Sequence, residues 1–255
     1  MKAYGKTNLK EYYEKKAAGL DEVKVTYRHP SLYKRFFYNT RFAKVFSLLD
    51  PRKGEIILDL GCGPGYYTKK IIQKGARVFA VELAKNYLNQ AKKFVGENKN
   101  VEFLVADATR LPFPKEYFDK VLFTEVIEHI PNYKESLKET KRVLKREGVL
   151  VISTPSKFSP LNLAYSLKRK LKHYTFNEHV HEFTSAEFKK VVGQYFRIER
   201  LEFVNFLLPY PVDNLFLGVK SKNVIKFLDI LEKLGQNLPL VKYLGWTMVV
   251  LAKKN

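Results

Sequence analysis

Cysteine is almost missing from this chain: Cys62 stands alone among 255 residues. That excludes an internal disulfide and a thiolate metal cage. Long apolar runs are missing too, and none approaches the ~20 residues that cross a bilayer. The opening "MKAYGKTNLKEYYEKKA" holds no apolar stretch, so no signal peptide is expected and the location reads as cytoplasmic. Internal repeats and low-complexity tracts are absent. Acidic residues are scarce, 26 against 46 lysines and arginines, for a net charge of +20. Such an excess attracts nucleic acid, a phospholipid surface or an acidic substrate. It also matches the lysine-rich, glutamine-poor surface of thermophile proteins. The basic residues run along the whole chain rather than gathering in one tail, which suits the second reading.

What remains is an ordinary globular composition, 45% hydrophobic and 28% charged, long enough for one well-filled core. Short β-branched or aromatic runs recur at 55–60, 77–82, 101–107, 118–125, 148–154, 196–204 and 246–254. Most lack polar alternation, as strands covered on both faces do. Helical patterns lie between them. "YYTKKIIQK" stops at Gly75 and "AKNYLNQAKKFV" at Gly96, while "PNYKESLKETKRVLKREG" runs to Gly148. Asn132 with Glu135, and Thr184 with Glu187, have capping-box spacing. This alternation predicts an α/β fold: a doubly wound, Rossmann-like, mostly parallel seven-stranded sheet in a single domain, 1–255. Three pieces fall outside it: a helical, aromatic N-terminal cap (1–50) and helical lid insertions at 156–178 and 205–245.

Glycine is sparse, 13 residues, yet three alternate in "LDLGCGPGYYT" (58–68), between a strand and a helix. Ligands of open α/β sheets settle at that end of the strands. The dinucleotide pattern G-x-G-x-x-G is not what stands here. Gly61, Gly63 and Gly65 alternate behind Asp59, whose carboxylate repels a phosphate and suits a cation. Glu82 ends the next strand about 20 residues after the loop, where an acidic side chain holds ribose hydroxyls. A ligand with a ribose, a positive charge and no phosphate is implied, and S-adenosylmethionine fits that description.

At these motifs the chain resembles the class I S-adenosylmethionine-dependent methyltransferases, in their ubiquinone-biosynthesis-like, type 11 group. "LDLGCGPG", "VELA", "VADATRLPF", "FDKVLFTEVIEHIP" and "LKREGVLVISTPS" resemble its successive motifs, over about 50–204. The resemblance implies a donor site of Asp59, Gly61, Cys62, Gly63, Gly65, Glu82, Leu83, Asp107, Ala108 and Glu125. Asp107 is expected at the adenine amine and Ala108 along the ring. Glu128 and His129 are the candidate catalytic residues, with His129 titrating in a useful range; lining the cofactor and capping the next helix is the alternative role. Glu125, Glu128 and His129 share one side if the segment is helical. With His179 and His181 they form a candidate N/O site for a divalent metal. That combination resembles small-RNA 2′-O-methyltransferases, and more loosely ubiquinone-biosynthesis O-methyltransferases; many relatives carry E-x-x-E-H without a metal.

The insertions bear on the acceptor. "PLNLAYSLKRKLKHY" (160–174) sets Leu163, Ala164, Leu167, Leu171 and Tyr174 opposite a lysine–arginine face, and "NVIKFLDILEKL" repeats an apolar stripe. Apolar covers suggest a small-molecule or lipid-like acceptor, with peripheral membrane contact a further option. Ordinary lid packing explains the stripes as well. Tyr12, Tyr13, Tyr27 and His29 are expected to close over the cofactor, or to pack in the core. The rival functions are an RNA methyltransferase, which lacks a recognisable RNA-binding module, and a non-catalytic cofactor-binding regulator. Oligomeric state stays open.

Overall fold

In the computed structural model, residues 6–19, 21–160, 179–206, 221–238 and 241–254 are described. The 160–174 stripe therefore lies almost wholly outside the described residues.

Seven strands form one sheet: β1 Ile56–Leu60, β2 Arg77–Glu82, β3 Val101–Val105, β4 Phe118–Thr124, β5 Leu144–Pro155, β6 Arg197–Val204 and β7 Thr247–Lys253. Their order is β3-β2-β1-β4-β5-β7-β6. All pairings are parallel except those of β7, which runs antiparallel to both β5 and β6. The order reverses between β1 and β4, which opens a crevice at their carboxyl ends.

Both faces of the sheet are covered, which is why the central strands lack polar alternation. Ile57, Val78, Ala80, Leu122 and Val151 pack on one side with helices α3 (Leu32–Leu49), α4 (Tyr66–Ile72) and α5 (Lys85–Val95). Leu58, Phe79, Val121, Phe123 and Ile152 pack on the other with α6 (Tyr133–Val143) and α7 (Ser185–Gly193). Burying each large side chain of these layers is worth about 1.5–3 kcal/mol. Strand β3 departs from the expected double cover. It is an edge, and Val105 stays 47% exposed.

Two further expectations need correction. The third helical pattern does not reach Gly148; α6 stops at Val143 and β5 begins at once. The segment entering β4 takes the helix's last carbonyls, with Glu116 N–H bonding Arg142 O at 2.9 Å and Tyr117 N–H bonding Val143 O at 2.8 Å. Leu144 then pairs with Phe118 and is fully buried. Asn132 is the N-cap of α6, but its side chain makes no capping bond.

The N-terminal segment is helical as expected, with α1 (Lys6–Gly19) and a short α2 (Glu22–Val25) ahead of α3. Helix α8 (Lys222–Asn237) lies between β6 and β7. No helix among the described residues is long and apolar enough to cross a membrane.

Thr184 and Glu187 do form the reciprocal capping box of α7. Thr184→Ala is expected to lower stability by about 1 kcal/mol, read as a reduced urea midpoint with an unchanged slope.

Candidate active site

Strand β1 delivers the chain into the glycine turn. Gly61 and Cys62 both donate their N–H to Val81 O, at 2.8 and 3.0 Å, so the turn is tied to β2. The alternating glycines differ in purpose. A Cβ on Gly61 would lie 2.3 Å from Val126 Cγ2, and one on Gly65 3.0 Å from Ala91 Cβ. Those positions are closed by the protein's own packing. Gly63 has a left-handed φ of 49°, and a Cβ there would meet nothing within 4 Å. Its bareness faces open space.

Glu82 stitches this turn to the next one. Its Oε2 accepts the Gly63 N–H at 3.0 Å, and its Oε1 accepts Leu83 N–H at 2.7 Å and Ala84 N–H at 3.1 Å. Burial raises its pKa, and the three backbone donors oppose that rise. A carboxylate offers about four lone-pair sites, so these bonds leave acceptor capacity over.

Asp59 behaves differently from the sequence expectation of a carboxylate facing a cation. It is 2% exposed, and its Oδ2 accepts the Thr68 hydroxyl of α4 at 2.5 Å. It braces the first turn of the helix that leaves the loop. Cys62 is buried in the turn, and burial pushes its thiol well above the usual range, which makes it inert. Leu83 is half-buried beyond Glu82. Asp107 and Ala108 follow β3, half-buried, and Asp107 Oδ1 takes the Thr109 N–H and hydroxyl at 2.8 and 2.7 Å.

The rim after β4 is not one helical face. Glu125 has a left-handed φ of 54°, and only Ile127–His129 forms a 3-10 turn. Glu125 turns to α3, where Arg41 Nη1 sits 2.7 Å from its Oε2, and Ser153 Oγ donates to its Oε1 at 2.8 Å. Arg41 is the functional candidate that sequence reasoning missed. It lies in the aromatic run "LYKRFFYNTRFAKVF", where helical spacing alone does not tell it from Arg35. Burial is the largest influence and opposes its charge, but Glu125 together with Tyr27, Tyr67 and Tyr38 outweighs it and raises the pKa of the guanidinium. Its Nε is buried without a hydrogen-bond partner among the described residues, and the Tyr67 hydroxyl, on the helix after the glycine turn, is buried with Tyr27 beside it.

Glu128 is 2% exposed, and its Oε2 accepts the Thr154 hydroxyl at 3.0 Å. Burial, with Glu125 adding to it, pushes its pKa well above the ordinary carboxylate range. His129 Nε2 lies 3.8 Å from Glu128 Oε1. His179 joins them because Val180 and His181 donate their N–H groups to Glu128 O, at 2.8 and 3.0 Å. The His129 and His179 rings are 5.0 Å apart, and one donor atom from each of Glu128, His129 and His179 lies within 4.8 Å of the others. The five metal candidates therefore reduce to three. Glu125 is engaged by Arg41, and His181 Nε2 sits 3.1 Å from Pro131 O with its ring on Tyr133.

Helix α1 spans this cleft. Tyr13 meets His129 edge-on at 5.5 Å and Tyr87 at 6.4 Å, while Glu14 accepts the Lys85 and Asn86 N–H groups at 2.7 and 2.8 Å. Tyr27 instead stacks on Tyr66 at 3.5 Å, beside the glycine turn.

Burial, the Thr68 bond notwithstanding, raises the Asp59 pKa from 3.8 to about 7. The folded state then holds this proton more tightly than the unfolded chain. Asp59 is therefore expected to subtract stability as pH rises from about 4 to about 7, by up to roughly 4 kcal/mol. Asp59→Asn removes that dependence, so its stability advantage over the parent grows through this window. Urea melts at pH 4.5 and 7.5 check it; a constant difference contradicts it.

Residues 58–152 match the family model described as a methyltransferase domain. The malonyl-[acyl-carrier protein] O-methyltransferase of Legionella pneumophila is 30% identical over 143 residues, covering 54% of this chain and 48% of that protein. The ubiquinone biosynthesis O-methyltransferase of Pelagibacter ubique is 31% identical over 115 residues, 45% of this chain and 48% of that one. The chain thus spans about half the length of these curated relatives. An S-adenosylmethionine-dependent methyltransferase structure from Thermotoga maritima superposes with a TM-score of 0.67 over 97% of this chain and 100% of its own, at 20% identity, which is a likeness of fold. The strand order and the glycine turn between β1 and α4 give this chain the fold of these methyltransferases, and residues 58–152 are similar to a methyltransferase domain.

Proposed function

We propose that the chain transfers a methyl group from S-adenosylmethionine to a small-molecule or lipid-like acceptor. The observation that carries this reading is Gly63, bare toward open space while its N–H is fixed by Glu82. A cradle of this kind suits a ligand that lies on backbone. Glu82 has acceptor capacity left for ribose hydroxyls, and Asp107 and Ala108 stand past β3 where an adenine would extend. Arg41 Nε and the Tyr67 hydroxyl are two buried donors suited to a carboxylate at the amino-acid end of the donor.

Bound there, the donor supplies a methyl group on a sulfonium, already activated for displacement. The chain's own task is alignment and exclusion of water. α1, with Tyr13 against His129 and Glu14 on the α5 N-terminus, covers the cleft. An acceptor hydroxyl or acidic carbon must also lose a proton, and His129 Nε2 stands at the rim to take it. Glu128, its carboxyl favoured in the neutral form by burial, fixes the turn that presents His129. The names of the relatives, a malonyl-[acyl-carrier protein] O-methyltransferase and a ubiquinone biosynthesis O-methyltransferase, support an acceptor of small-molecule type.

A metal-assisted form of the same transfer is supported by the mutual approach of Glu128, His129 and His179. A divalent ion held by those donors would lower the pKa of an acceptor hydroxyl. The two forms separate through His179. Calorimetric titration with Mn²⁺ is expected to show a site that His179→Ala abolishes if the metal form holds; absence of heat in the parent protein leaves His129 as base alone.

Glu82→Ala is expected to weaken S-adenosylmethionine binding by about 1–3 kcal/mol, measured by calorimetry, while His129→Ala leaves that affinity within about twofold. His129→Ala is expected to cut transfer of labelled methyl into a lipid or small-molecule extract by about 10²–10⁴-fold. Unchanged donor affinity in Glu82→Ala would remove the donor-site assignment. Label passing into RNA and into no small molecule would reverse the acceptor assignment.

A further inference from the structure

Helix α8 has an inner side that the protein buries and an outer side that it leaves exposed. The inner side buries Leu228, Glu232 and Gly235. Glu232 accepts the Asn205 and Phe206 N–H groups at 2.6 and 2.9 Å, which fastens the helix to the end of β6. A Cβ on Gly235 would lie 3.2 Å from the Phe206 ring, so the helix backbone itself packs there. The seating of α8 is settled by this side.

The outer side is apolar. Phe227, Ile230, Leu234 and Leu238 recur at three- and four-residue spacing, and each is 50–58% exposed. Tyr243 and Leu244 continue the series past the helix end, at 48% and 45%. Isolated exposed hydrophobics need no explanation, but a continuous row of this length marks a contact surface.

The charges beside the row limit what can cover it. Lys222, Lys226 and Lys233 are exposed on α8. Of the two acids in the helix, Glu232 is turned inward and Asp229 is bound to Lys233 at 2.6 Å. Positive charge therefore borders the apolar row, on a chain that already carries +20. A second copy of the same side would set lysines against lysines. An uncharged apolar partner would leave them without counter-charge. An anionic phospholipid surface supplies both an acyl boundary and phosphates, and amphipathic helices with a lysine border and Phe–Leu faces lie in such interfaces.

We infer that α8 and the 241–244 turn form a docking surface for anionic phospholipid membrane, distinct from the donor cleft and independent of whether methyl transfer is the activity. The full chain, sedimented with phosphatidylcholine vesicles containing phosphatidylglycerol, is expected in the pellet; with phosphatidylcholine alone it stays in the supernatant. Lys222→Gln and Lys226→Gln should each lower partitioning about fivefold. Phe227→Glu combined with Ile230→Glu should abolish sedimentation while thermal midpoint and donor affinity hold. Should the double variant unfold, the two lysine variants carry the test. Equal sedimentation of all variants overturns the inference, as does no sedimentation of the parent. A parent dimer by light scattering that the double variant splits assigns the surface to a second copy instead, and also overturns it.

Discussion

The site depends on one carboxylate accepting three backbone N–H groups. Glu82 joins the turn after β1 to the turn after β2, through Gly63 on one side and Leu83 and Ala84 on the other. It adds to the Gly61 and Cys62 N–H bonds to Val81 O that already tie the first turn to β2, and extends the tie to Gly63. With it, the bare Gly63 backbone and the acceptor lone pair of the same carboxylate are presented together. Binding surface and brace are one group, which explains why a partly buried acid is kept there despite the cost of desolvation that raises its pKa.

Around that brace the polar groups divide by strand. Asp59, at the end of β1, is spent on Thr68 and steadies α4. Glu125 and Ser153, at the ends of β4 and β5, hold Arg41 from the N-terminal cap. Glu128 and Thr154, one step further out, present His129, and the returning chain lays His179 beside it. A doubly wound sheet gathers these groups because each strand ends at the same rim. Acidic side chains that look alike in the sequence thus serve as a ligand brace, a helix brace, an arginine anchor and the support of a histidine.

Much of the fold is legible in the sequence alone. The seven apolar runs became the seven strands because covered strands need no polar alternation, and the Thr184 capping box formed as its spacing predicts. What failed did so through tertiary pairing. The α6 pattern overran because Leu144 satisfies a helical stripe and a buried strand equally well, and only pairing with Phe118 decides between them. Glu125, Glu128 and His129 have helical spacing, yet the left-handed residue at Glu125 throws them onto different neighbours. Arg41 was invisible because its partner lies 84 positions away, and no local pattern announces such a pair. The glycines read together as a ligand cradle, whereas Gly61 and Gly65 answer to Val126 and Ala91, and Gly63 alone faces outward.

The most direct test is a crystal structure of the full chain with S-adenosylhomocysteine. The ribose hydroxyls should lie within hydrogen-bonding distance of the Glu82 carboxylate, with the amino-acid end along the Gly61–Gly65 backbone and its carboxylate at Arg41. Density for the ligand outside this crevice, or within it but without contact to Glu82, would contradict the double role of that carboxylate as brace and ribose acceptor.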